Sequence, residues 1–115
     1  MPSNARRGAY YKARTKRWLI AQGWEVADME VLKSVYAPGR EPFFVKRDQW
    51  GADLIACRAA SDELALIQTK GGEAARGGTF PAARRKFAKF TFPSFVQRWV
   101  VAWAPRAREP RIVLY

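Results

Sequence analysis

Residues 52–70 read ADLIACRAASDELALIQTK, and this stretch decides the fold. Two apolar runs, 52–59 and 63–70, flank a short polar turn at 60–62, the pattern of two strands joined by a tight connection. Side chains alternate along a strand, so Leu64, Leu66, Gln68 and Lys70 share one face while Ala65, Ile67 and Thr69 share the other. An amide and an ammonium therefore emerge side by side at the end of an apolar row. Register brings in Asp53. A turn centred between Ala60 and Ser61 sets Asp53 opposite Gln68; one centred between Ser61 and Asp62 sets it opposite Lys70. Either register leaves the carboxylate within one cross-strand neighbour of both polar groups.

Upstream, residues 5–22 read as a helix that Gly23 stops. Tyr11, Thr15, Trp18, Leu19 and Gln22 form one stripe, and Arg6, Arg7, Lys12, Arg14, Lys16 and Arg17 give the helix a cationic surface. Residues 24–32 read as a strand with Trp24, Val26, Asp28, Glu30 and Leu32 on one face. Residues 34–50, broken by Pro38, Gly39 and Pro42, read as a long connection with a short extended piece at 43–45. Downstream, Gly71-Gly72 ends the second run. Thr79 as cap and Pro81 in the first turn predict a helix over 81–90, with Phe80, Ala83, Phe87 and Phe90 packing inward. Strands over 96–103 and 111–115 follow. This order predicts one α/β domain over residues 1–115, a mixed sheet flanked by helices. Trp18, Trp24, Trp99 and Trp103 are expected in the core, whereas Trp50 lies beside Asp53, where it could stack on a base or a sugar.

A chain of 115 residues, 49% hydrophobic and 14% aromatic, can bury one core, which excludes both global disorder and a separate cofactor lobe. Lys and Arg number 21 against 10 Asp and Glu, and the resulting +11 predicts a polyanionic partner, nucleic acid first. No run of 18 apolar residues occurs, so no membrane span is expected, and the Arg-rich start together with a lone cysteine reads as cytoplasmic. Histidine is absent and Cys57 is the one cysteine, which excludes an intramolecular disulfide, Cys/His zinc sites and histidine-based catalysis; Cys57 reads as a small core residue. No Gly-Lys-Ser/Thr signature follows Gly71-Gly72 or Gly77-Gly78, so a nucleotide cofactor is not expected.

Any chemistry must then use carboxylate, amide and amine. A hard cation such as Mg²⁺ takes oxygen ligands, which the Asp53 carboxylate, the Gln68 side-chain carbonyl and the Thr69 backbone carbonyl can supply. Such an ion activates water, and Lys70 can orient that water or stabilise charge on phosphorus. The competing reading is an Asp–Lys ion pair at the rim of a sheet with Gln68 as a polar neighbour.

Residues 10–11 (YY), 16–19 (KRWL), 23–24 (GW), 46–56 (KRDQWGADLIA) and 64–70 (LALIQTK) together resemble the PD-(D/E)XK nuclease superfamily, in particular its small Holliday-junction-resolvase-like members. The likeness spans most of the chain in element order, through short motifs. It implies a restriction-endonuclease-like α-β-β-β-α-β core with an additional C-terminal strand. It also implies a homodimer and Mg²⁺-dependent hydrolysis of DNA, branched DNA such as a Holliday junction included, in recombination or repair, with Mn²⁺ as substitute. Asp53, Gln68 and Lys70 fall on the catalytic positions and Thr69 on the residue between the last two. Gln68 stands where the family usually has an acid, and the first helix lacks the glutamate resolvases commonly carry there. Glu30 and Asp48 are the candidates to restore that charge. Arg6, Arg7, Lys12, Arg14, Lys16, Lys46, Arg47, Arg76, Arg84, Arg85, Lys86 and Lys89 are the candidates to contact the DNA backbone. The two departures motivate a second expectation: a nuclease-like fold that binds DNA without cutting it.

Overall fold

The computed structural model describes the backbone of residues 4–76 and 80–115, and their side chains apart from those of residues 4–7, 31–33, 35 and 44–48. Helix α1 (Asn4–Ala21) leads into β1 (Glu25–Asp28), β2 (Glu30–Val35), β3 (Phe43–Asp48), β4 (Leu54–Arg58) and β5 (Glu63–Gly71). Helix α2 (Pro81–Ala88), β6 (Val96–Trp103) and β7 (Arg111–Leu114) complete the chain. Five strands form one mixed sheet in the order β1-β4-β5-β6-β7, with β5 and β6 parallel and the other neighbours antiparallel. The domain is α/β, its mixed sheet flanked by two helices.

Alternation along β5 and β6 explains the layering. Ala65, Ile67, Trp99, Val101 and Trp103 join Leu19 and Trp24 in one core cluster, with Tyr11 and Trp18 of α1 against it. On the opposite face Leu66 packs with Phe87 of α2, while Val100 and Ala102 pack with Ala83. Successive residues of one strand thus feed opposite layers, as a period of two requires. All four tryptophans expected inside are packed there.

The end of α1 is set by Gly23. The Trp24 amide donates to Leu19 O at 3.1 Å and the Gly23 amide to Ile20 O at 3.0 Å, with Gly23 at φ +90. This pair of bonds is the Schellman closure, which needs a residue comfortable in the left-handed region. Gly71 meets a different demand: an added Cβ would stand 1.9 Å from Tyr11 Cδ2, so its bareness lets α1 lie on β5.

Four sequence expectations change. The strand expected over 24–32 is split at Met29, and residues 34–50 contain more than a short extended piece: β2 and β3 pair as a separate antiparallel hairpin. Cys57 is exposed rather than buried, because α2 reaches Ala52 and Leu66 through Phe87 and leaves Cys57 uncovered. Phe80 occupies the N-cap of α2, and Thr79 lies outside the described residues. Among the described residues no helix is long and apolar enough to cross a membrane.

Candidate nucleic-acid interface

The β4–β5 register is the first of the two foreseen. Leu54 stands opposite Ile67 and Cys57 opposite Leu64, and the regular pairing ends there, one residue before Asp53. Asp53 sits at the entrance to β4, where its amide donates to Ile67 O at 2.8 Å and its carbonyl accepts from the Met29 amide at 2.8 Å. Its carboxylate Oδ2 accepts from the Thr69 amide at 2.8 Å and the Thr69 hydroxyl at 2.9 Å. Bonds to an ionised acceptor are roughly twice as strong as neutral ones, so Asp53 acts as a staple between the two strands. It is 9% exposed and Gln68 3%.

Gln68 turns the other way. Thr69 follows Ile67 and precedes Gly71 on the α1 face, whereas Gln68 and Lys70 alternate onto the α2 face with Leu66. There the Gln68 amide nitrogen donates to the Gly51 carbonyl. Lys70 is half-buried beside Ala102 in the β5–β6 register.

These residues do not fit a divalent cation. Asp53 already uses Oδ2 for two hydrogen bonds, and Gln68 presents its nitrogen, not its oxygen, to Gly51. Among the described residues no three His, Cys, Asp or Glu side chains gather to hold an ion. Glu30, a candidate to supply the missing charge, is 3.6 Å from Lys12 Nζ, which also lies 3.6 Å from Asp28. Asp48 stands opposite Glu30 in the hairpin, and its side chain lies outside the described residues.

The basic residues divide by what they touch. Lys12 and Lys16 pair with Asp28 and Glu30, Arg14 donates to Ala107 O at 2.7 Å and lies over Trp103, and Arg76 pairs with Glu73. These α1 cations knit the helix to the sheet. The side chains of Arg6, Arg7, Lys46 and Arg47 lie outside the described residues, as do Gly77 and Gly78. Arg84, Arg85, Lys86 and Lys89 are all exposed, and α2 carries no acid. Arg85 and Lys89, four residues apart, fall on the face opposite buried Ala83 and Phe87, and Lys86 lies on the flank beside Gly51.

No family model, curated protein or solved structure matches this chain. The interface therefore rests on its own geometry.

That geometry includes a cluster whose combination the sequence did not reveal. Trp50 and Gly51 form the centre of a tight turn in which the Ala52 amide donates to Gln49 O at 2.9 Å. Both have positive φ, 52 and 74, as a type I′ turn requires. Gly51 fits because an added Cβ would stand 3.1 Å from the Lys86 carbonyl carbon. Trp50 has no such licence: the left-handed conformation costs a bulky residue roughly 1–2 kcal/mol. Its ring is nonetheless 50% exposed and meets Phe92 edge-on at 6.0 Å, and Phe92 meets Phe90 at 6.2 Å. The Trp50-Gly51 pair was the available signal, a tryptophan where turn chemistry favours Asn or Gly.

Proposed function

We propose that this chain binds DNA on a nuclease-like α/β scaffold, using the outer face of α2 against the phosphate backbone. The observation that carries the reading is the cluster Arg84, Arg85, Lys86 and Lys89, exposed on a helix with no acid, in a chain of net charge +11. Cations grouped this way replace the counterions condensed on DNA, and their release drives association. The resemblance to resolvase-like nucleases supports a homodimer acting on branched DNA.

A second reading keeps one observation in its favour. The Asp53 carboxylate is held by Thr69, the residue between Gln68 and Lys70, which brings together the three positions a PD-(D/E)XK nuclease uses. On that reading the protein hydrolyses phosphodiester bonds.

One assay separates the two. Labelled four-way junction, duplex and single-stranded DNA are incubated with the protein in Mg²⁺, Mn²⁺ or EDTA. Binding without cutting in either metal is expected. Metal-dependent cutting that Asp53→Asn and Lys70→Ala abolish, with binding retained, would replace the first reading by the second.

A further inference from the structure

We propose that Trp50, with Phe90 and Phe92 behind it, forms a stacking platform for an unpaired DNA base, and that Lys86, Lys89 and Arg85 hold the flanking phosphates. The proposal rests on the DNA-binding reading and deepens it by naming the substrate class: DNA with unpaired bases.

Three independent features converge. The first is an aromatic surface in the wrong place for packing alone. Trp50 is 50% exposed and Phe90 39%, although Phe92 bridges them and an apolar layer lies next to them around Phe87. The second is backbone: a tryptophan held at φ 52 projects from the tip of a two-residue turn, where a smaller residue would fit better. The third is charge. The Gly51 backbone packs directly on Lys86, so the aromatic tip is anchored on the cationic turn of α2. Every base has a π-face, so aromatic rings beside a cationic track bind single strands with little sequence preference. In a duplex that face is already stacked on its neighbours, so the platform engages a duplex only where a base is unpaired, as at a branch point.

The Gln68 bond to the Gly51 carbonyl also ties this turn to β5, so the platform is mounted on the sheet rather than on a free loop. A rigid mount lets stacking occur without ordering a loop at the moment of binding.

The test is fluorescence anisotropy with labelled oligothymidylate of about fifteen nucleotides, oligouridylate of the same length and a blunt duplex, at low salt. The proteins are wild type, Trp50→Gly, Trp50→Phe and Phe90→Ala, each checked for native circular dichroism. Trp50→Gly suits the positive φ, so the turn is kept while the ring is lost. Expected results are a roughly tenfold or greater loss of oligothymidylate affinity in Trp50→Gly, near wild-type affinity in Trp50→Phe, a smaller loss in Phe90→Ala, and duplex affinity within about twofold throughout. Equal losses on duplex and single strand, or no loss on either, would overturn the platform and leave the DNA-binding reading intact. Oligouridylate bound about tenfold tighter than oligothymidylate would overturn the assignment to DNA. Wild type that binds none of the three would overturn the underlying reading, and the platform with it.

Discussion

Thr15 shows what a single buried polar residue does here. Its hydroxyl donates to Tyr11 O at 2.8 Å and accepts from Trp103 Nε1 at 2.9 Å, and both Thr15 and Trp103 are buried. Thr15→Val keeps the shape and strands the indole N–H, so it should destabilise by about 1–3 kcal/mol in urea unfolding. Gly71→Ala forces a methyl into the Tyr11 ring and should cost about 1–3 kcal/mol, much of it recovered when Tyr11→Leu is added. Exposed Cys57 should react with a thiol reagent in the folded protein without denaturant. Legibility differs among these residues for physical reasons. Gly23 announced its role because a helix stop needs a local conformation that few residues tolerate. Cys57 did not, since its exposure depends on how far α2 extends over the far face of β4. The Asp53 staple was half legible: register could be argued from spacing, but the direction of its carboxylate is decided by the Thr69 amide.

Among elements, the β4–β5 pair was the most readable, because an apolar run repeated on each side of a polar turn specifies its own register. The β2–β3 hairpin was the least readable, since Pro38, Gly39 and Pro42 gave residues 34–50 the composition of a loop. The β4–β5 turn carries a pH dependence. Glu63 has its carboxyl lowered to about 2 by hydrogen bonds from Ser61, Arg58 and Gln97, against an ordinary value of 4.5. A carboxyl depressed in the folded state adds stability above its unfolded pKa and loses it as pH falls through the folded one. Urea midpoints should therefore fall as pH drops from about 4.5 to about 2, and Glu63→Gln should flatten that part of the profile. α1 and α2 look alike in sequence, both rich in cations, yet the structure separates them. Acids on the neighbouring strands turn Lys12 and Lys16 inward, while α2 meets the sheet through Ala83 and Phe87 and its cations are exposed.

At the scale of the molecule, the alternation of β5 and β6 sorts side chains into two layers, and α2 presents the exposed cations beside Trp50. The proposed function puts this face of α2 against the phosphates of DNA. The most direct test is the affinity for duplex and junction DNA measured across a salt series, for wild type and for the double variant Arg85→Glu/Lys89→Glu. Wild-type affinity should fall linearly on a log–log plot against salt, and the variant should bind at least tenfold more weakly with a slope shallower by about two. Wild-type binding that is absent at low salt, or a variant with unchanged affinity and slope, would contradict it.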